Sequence, residues 1–402
     1  MEGTRVRVLI TTHPEVGHWH PLVPLARALA AADHDVAFAT TPVGCAALAT
    51  LGFRGFPVGR DETPEEVAVR QARLTRLAPE ERATVFWAEV FPQTRAGQML
   101  PDLLDVVRAW RPHLVLREFL EFAGCVAAEH DGLPHAAVQM AAWRPRLHAL
   151  LVEPLTRLRQ SVGLPADPEL LMPYRHLLLV TAPPSFLDPA AALPPTAQHL
   201  RPEVFDQSGG ECLPGWMASL PERPVVYVTM GTVVNKVPGV LEALVGGLRD
   251  EPITVIVTTG RDRDPASLGP QPANVHLERY VPQSLLFPRC DLVVTHGGTG
   301  TVMAALSHGL PMVILPIAAD QPDNAQRCVA LGVARALGTE ARSPEAIRHA
   351  VREVLATPHY REAAQRMREE IGAMPSLEEA VAQLQRLGER STAVDGERVP
   401  LR

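Results

Sequence analysis

The stretch from Asp291 to Pro311, DLVVTHGGTGTVMAALSHGLP, sets the tightest limit on what this chain can form. Its apolar run Leu292-Val293-Val294 reads as a buried strand, the glycines at 297, 298 and 300 as a tight turn, and Thr301 to His308 as one face of a helix. The first N–H groups of such a helix lack internal partners and carry the positive end of its dipole, so an anion is the natural guest. A close-packed strand-to-helix turn with nothing bound would look the same from this stretch alone.

Strand-turn-helix units of this kind recur in two blocks. The first opens with a strand at Val6 to Thr11, a loop from Thr12 to His18 and a helix from about Pro21 to Ala32, whose proline suits a first helical turn. A strand over Asp35 to Thr40 follows, then a helix around Ala46 to Leu51, a charged helical stretch around Glu65 to Val90 and a strand at His113 to Leu116. The Pro-rich stretch Ala182 to Pro202 and the Gly/Glu segment Ser208 to Pro214 read as connection. After them the pattern restarts: a strand at Pro224 to Val228, a Gly231-Thr232 turn, a helix from Pro238 to Leu248, and strands at Ile253 to Thr258 and Asp291 to Thr295. This is parallel α/β architecture twice over. Two doubly wound, Rossmann-like domains are expected, over residues 1–207 and 208–402, facing one another across a cleft at the carboxyl ends of their strands. The polar tail from about Ser391 is expected to be disordered.

Composition removes several classes of function. The chain has 402 residues, 46% of them hydrophobic and 21% charged, enough for two ordinary cores. No apolar run approaches the roughly 20 residues of a spanning helix, and Met1 leads into a strand without a signal-peptide plan, so a cytoplasmic protein off the membrane is expected. A net charge of −7 argues against nucleic acid as a partner. Lys236 is the single lysine, which leaves Schiff-base chemistry one candidate. Cysteines 45, 125, 212, 290 and 328 form no C-x-x-C and read as buried apolar residues in a reducing compartment.

Taken together, YVPQSLLFPRCDLVVTHGGTGTVMAALSHGLPMVILPIAADQPDNAQR, from Tyr280 to Arg327, resembles the nucleotide-sugar signature of family one glycosyltransferases, inverting enzymes of the GT-B fold. Gly17-His18-Trp19-His20-Pro21 is similar to the G-H-x-x-P loop of that family, and RPHLVLREFLEFAG, from Arg111 to Gly124, resembles the stretch bearing the carboxylate that orients its catalytic histidine. The tone of VVYVTMGTV and LREFLEFAG is most like actinobacterial natural-product glycosyltransferases.

The resemblance implies a UDP- or TDP-sugar donor, an apolar small-molecule acceptor of the kind met in antibiotic biosynthesis, no cofactor and no metal. It places the diphosphate on His296, Gly297, Gly298, Thr299, Gly300 and Thr301, with Thr232 as a further phosphate contact. Tyr280 would stack on the base where relatives carry Trp or Phe, with Val281 and Gln283 beside it, and Asp320 with Gln321 would hold the sugar hydroxyls. Alone, Tyr280 reads equally as a core edge and Asp320 as a solvated turn residue. Ala304 stands where the family usually has a ribose-contacting glutamate, which leaves the nucleotide preference open. A monomer or homodimer is expected.

For the chemistry, His18 is the candidate base and Glu118 its orienting acid. Glu118 could instead pair with Arg117 or Arg111, and His20 is close enough to compete with His18. Phe86, Trp87, Phe91, Met140 and Trp143 are candidate walls of the acceptor site, although such residues at such spacing are more often core. Rival readings remain. His18-Trp19-His20 is also an H-x-H pair of the metal-dependent hydrolase kind, and Asp262-Arg263-Asp264 imitates a metal-binding D-x-D but reads as a solvated turn. A nucleotide-sugar epimerase, or a silent nucleotide-binding partner, would keep the same fold.

Overall fold

The computed structural model describes residues 4–139, 145–206, 211–231, 237–260, 263–338 and 341–395. They form two compact units, each built on a wholly parallel sheet.

In the first unit the strands are β1 (Arg7–Thr11), β2 (Asp35–Thr40), β3 (Arg54–Pro57), β4 (Leu114–Glu118), β5 (His135–Gln139), β6 (Leu177–Val180) and β7 (Ala197–His199), in the spatial order β3-β2-β1-β4-β5-β6-β7. The second has β8 (Val225–Thr229), β9 (Thr254–Thr258), β10 (Val275–Glu278), β11 (Leu292–Thr295), β12 (Met312–Ile314) and β13 (Ala334–Ala336), in the order β10-β9-β8-β11-β12-β13. The central strands β4, β5, β6, β8, β9 and β11 are buried at every residue. Helices therefore cover both faces of each sheet, and the strands read as continuous apolar runs instead of alternating ones.

Both sheets reverse direction once. The chain steps from β1 outward to β2 and β3, then returns to lay β4 on the other side of β1, with Thr11 opposite Arg117. In the second unit the same reversal sets β11 beside β8, with Thr295 opposite Thr229. At such a point the loops at the carboxyl ends part in opposite directions, and the gap between them is where doubly wound folds bind ligands.

Several local features depart from the sequence reading. His18 lies in a short helix, Val16–Trp19, that runs through a 3₁₀ turn into the helix Val23–Ala31. The stretch around Glu65 to Val90 is broken into helices Pro64–Leu74 and Pro79–Val85, each opened by a proline, followed by a π-helix over Phe86–Arg95. The Pro-rich connection holds a short edge strand, β7, whose three residues carry too little apolar periodicity to read. Among the cysteines, Cys125, Cys290 and Cys328 are buried as expected, Cys45 is half-buried and Cys212 is exposed.

The units also divide differently from the expected 1–207 and 208–402. Ala182–Asp188 belongs with the second unit, and Pro375–Arg402 returns to the first. The segment Ala182–Asp188 is bound by Glu370, which accepts from Ser185 N at 2.9 Å, and by Arg327, which donates to the Phe186 carbonyl at 2.9 Å. The helix Leu377–Asp395 extends past Ser391, while residues 396–402 lie outside those described. It packs on the helix Val23–Ala31 and on β4, burying Ala380, Val381, Leu384 and Leu387. Leu384 has no exposed surface. Leu384→Ala is expected to destabilise the protein by about 2–5 kcal/mol through the cavity left behind, read as an earlier midpoint in urea unfolding.

Candidate active site

At the β1–β4 reversal, His18 and Glu118 come from neighbouring strands. The His18 ring Nδ1 stands 3.2 Å from Glu118 Oε2, with the His18 side chain 22% exposed and that of Glu118 fully buried. Among the described residues neither Glu118 oxygen accepts a regular hydrogen bond, so the ring supplies its close positive partner. Burial opposes a charged His18, but the charge and bond of Glu118, with help from Glu15, outweigh it and raise the pKa.

The other partners considered for Glu118 are engaged elsewhere. Arg117 is fully buried and donates to the carbonyls of Phe119 at 2.7 Å, Glu121 at 3.1 Å and Pro173 at 2.5 Å. Arg111 is exposed whereas Glu118 is buried, and the two form no ion pair among the described residues. Glu121, passed over in the sequence, accepts from Thr11 Oγ1 and, at 2.6 Å, from Ala123 N, closing the first turn of the helix Ala123–His130. That bond ties β1 to the segment after β4 and so fixes the two loops that carry His18 and Glu118.

Two further residues shape the His18 ring. Phe91 lies 5.7 Å from it, presented by the π-helix, and His13 meets it edge-on at 5.2 Å. His13 is buried, with its pKa held well below 6.5 by burial and then by Arg95 and His18. Its Nε2 faces the Leu120 carbonyl at 3.2 Å, so the neutral ring donates there. Nothing in the spacing of the sequence marks His13. Of the proposed acceptor walls, Phe91 reaches the site and Phe86 packs on Phe91 at 5.7 Å, whereas Trp87 is core, against Phe119 and His148. Met140 and Trp143 lie outside the described residues. His20 turns its ring edge-on to Trp19, and the H-x-H pair meets no third metal-ligand side chain among the described residues. Asp264 caps a 3₁₀ turn by accepting from Ala266 N, as a solvated turn residue would, while Asp262 is not among the described residues.

At the β8–β11 reversal of the second unit, the glycine turn leads into the helix Thr299–Ser307, with Gly298 as N-cap and no side chain capping it. The first backbone bond back into this helix end is Val302 N to Gly298 O, so the amides of Thr299, Gly300 and Thr301 are left for another acceptor. Gly297 is required by the fold, with φ at 87° and room for a Cβ denied by Ile314 Cγ2 at 2.7 Å. Gly300 is not: a Cβ there would meet nothing within 4 Å.

His296 packs against Gly231 and Gly298, and burial lowers its pKa to about 4 although Asp320 pulls the other way. The ring is thus a neutral donor beside the open amides. Asp320 accepts from Thr299 Oγ1 at 2.5 Å and from Asn324 Nδ2 at 2.9 Å, and the same Asn324 nitrogen reaches the Gly297 carbonyl at 3.0 Å. Asn324, not singled out in the sequence, is the clamp that binds the β12 loop to the glycine turn. Gln321 spends its Oε1 on the amides of Ile317 and Ala318, at 2.8 and 2.9 Å. Between them Ala319 takes φ of 58°, a strained setting for alanine that these bonds hold. Tyr280 is 37% exposed, Val281 is buried beside it, and Gln283 Nε2 donates to Thr301 Oγ1 at 3.3 Å. Thr232 lies outside the described residues. Ala304, four residues after Gly300 in the same helix, is only 1% exposed.

Two parallel doubly wound units, one with a histidine–carboxylate pair and one with an uncapped glycine-turn helix, define a GT-B glycosyltransferase. The family models for "Erythromycin biosynthesis protein CIII-like" proteins match here, the N-terminal domain over residues 27–231 and the C-terminal domain over 243–387, and the chain belongs to this glycosyltransferase family. It is 30% identical to 4'-demethylrebeccamycin synthase of Lentzea aerocolonigenes, over 93% of this chain and 98% of that one. It is 31% identical to 3-alpha-mycarosylerythronolide B desosaminyl transferase of Saccharopolyspora erythraea, over 94% and 97%. Among solved structures it resembles glycosyltransferase VinC in complex with dTDP, with a TM-score of 0.79 and 28% identity over 96% of this chain and all of that one. Among the described residues no helix is long and apolar enough to cross a membrane.

The histidines respond to pH in opposite senses. His13 and His296 have depressed pKa values, so the stability they contribute is present above about 6.5, the unfolded value, and is lost as pH falls below it, for His296 down to about 4. His18 has a raised pKa, so its contribution is present below about 6.5 and lost as pH climbs through the folded value. Thermal melts from pH 8 to 4 are expected to show a steep loss of stability below pH 6.5. His18→Asn should remove only the decline on the alkaline side.

Proposed function

We propose that this glycosyltransferase moves a sugar from a TDP-sugar to a hydroxyl of an apolar small molecule, inverting the anomeric centre, with His18 as general base. The His18–Glu118 pair carries this reading. With Nδ1 turned to Glu118, Nε2 is the nitrogen left to take the acceptor's proton, and the buried carboxylate stabilises the imidazolium that forms. The acceptor oxygen then forms its bond to the anomeric carbon from the face opposite the nucleotide. The bond to the diphosphate breaks, and its electron pair leaves on the phosphate oxygen. A single displacement of this kind inverts the configuration.

The growing charge on the leaving diphosphate is met by the amides of Thr299, Gly300 and Thr301, by the dipole of their helix and by neutral His296. Donors already in place cost no reorganisation as the bond breaks. The TDP donor is favoured over UDP because the solved structure of glycosyltransferase VinC is a complex with dTDP and another relative is named a TDP-daunosamine transferase. Asp320 and Gln321 are read as sugar contacts, although both already bind their own loop, and that gives them fixed positions.

His18→Ala is expected to lower turnover by about 10²- to 10⁴-fold while dTDP affinity, measured by calorimetry, stays near wild type. Near-normal turnover in this variant, with loss in His20→Ala, would transfer the role to His20. Because backbone and side-chain donors supply the charge stabilisation, EDTA is expected to leave the rate unchanged. Loss on chelation with recovery on added manganese or zinc would refute metal-independent transfer.

A further inference from the structure

Tyr280 differs from a plain stacking ring by its hydroxyl, which donates to the carbonyl of Asp206. Asp206 stands in the stretch beginning at Arg201, by which the chain enters the second unit. Its carboxylate is engaged at both oxygens, Oδ2 accepting from Ser284 N at 2.7 Å and Oδ1 from Ser284 Oγ at 2.7 Å. Ser284 lies in the first turn of the short helix Gln283–Leu286, next to Gln283, whose Nε2 donates to Thr301 on the glycine-turn helix. One residue thus holds the Tyr280 hydroxyl through its backbone carbonyl and, through its carboxylate, Ser284 beside Gln283. Phenylalanine at position 280 has no donor with which to make the bond to the Asp206 carbonyl.

We propose that Asp206 is a positioning residue of the nucleoside half of the donor site, setting the plane of Tyr280 and the placement of Gln283 before the nucleotide arrives. This rests on the reading that Tyr280 stacks on the base. A ring held in its bound orientation loses less freedom on binding, so the tether acts on affinity for the base and not on the diphosphate cradle, whose amides belong to a different helix.

The test is calorimetry of dTDP and of inorganic pyrophosphate with wild type, Asp206→Ala, Asp206→Asn, Tyr280→Phe and Tyr280→Ala, each checked for fold by circular dichroism. Asp206→Ala is expected to weaken dTDP about tenfold, the scale of losing hydrogen bonds to a charged group, and to leave pyrophosphate within about twofold. Asp206→Asn keeps an oxygen for Ser284 N and is expected to recover most of the affinity. Tyr280→Phe keeps the ring and loses the tether, and is expected to weaken dTDP by about threefold while sparing pyrophosphate.

Wild-type dTDP affinity in Asp206→Ala, or equal loss of dTDP and pyrophosphate, overturns the proposal. If Asp206→Ala does not fold, Tyr280→Phe decides alone, and unchanged dTDP binding there overturns it. Tyr280→Ala separates the premise from the inference. Unchanged dTDP affinity in that variant removes the stacking reading itself, whereas a loss there with none in Asp206→Ala and Tyr280→Phe removes only the positioning role.

Discussion

A parallel strand reaches its neighbour only by a crossover over the face of the sheet, and that constraint governs both units. It sends every carboxyl end to the same edge, so the loops after β1, β4, β8, β10, β11 and β12 are the ones free to carry chemistry. The reversal of strand order then selects among them. His18 follows β1 and Glu118 ends β4, which are partners across the first reversal. Gly231 follows β8 and His296 follows β11, which are partners across the second, and there the glycine leaves room for the ring. The second unit thus repeats the plan of the first with different side chains, an acid–base pair in one and an uncapped helix end in the other.

Burial treats the histidines of these two places differently because their neighbours differ. At the second reversal Asp320 makes no hydrogen bond to His296, only a Coulomb pull, and desolvation outweighs it and keeps the ring neutral. At the first, the Glu118 oxygens have no regular donor among the described residues, and the carboxylate acts almost wholly on His18. The difference is that one acid meets its imidazole directly and the other acts on its imidazole by charge alone.

Much of this was legible in the sequence, because long motifs at fixed spacing carry the backbone features on which the site depends. The glycine turn, the G-H-x-x-P loop and the alternation of strand and helix led to the fold and to His18, Glu118 and the residues from His296 to Thr301. The strands β5, β6 and β7 were harder to read, since β5 and β6 are continuous apolar runs that period alone does not separate from buried helix, and β7 has three residues. His13, Glu121, Asn324 and Asp206 were passed over for a shared reason. Each acts through a contact far along the chain or through a backbone group, as Asn324 does on the Gly297 carbonyl and Glu121 on Thr11, and no local spacing records such a contact.

The return of the helix Leu377–Asp395 to the first unit bears on how the protein is made. A ribosome releases the first unit's seven strands early, yet the surface around Val6 that the helix covers, with Gly388 against Val6, stays bare until the second unit has been synthesised. The first unit therefore completes its packing only after the second sheet has been made. Until then a nascent chain holding β1 to β7 leaves uncovered the apolar surface that the helix Leu377–Asp395 will bury, and transiently exposed surface of that kind is prone to aggregate.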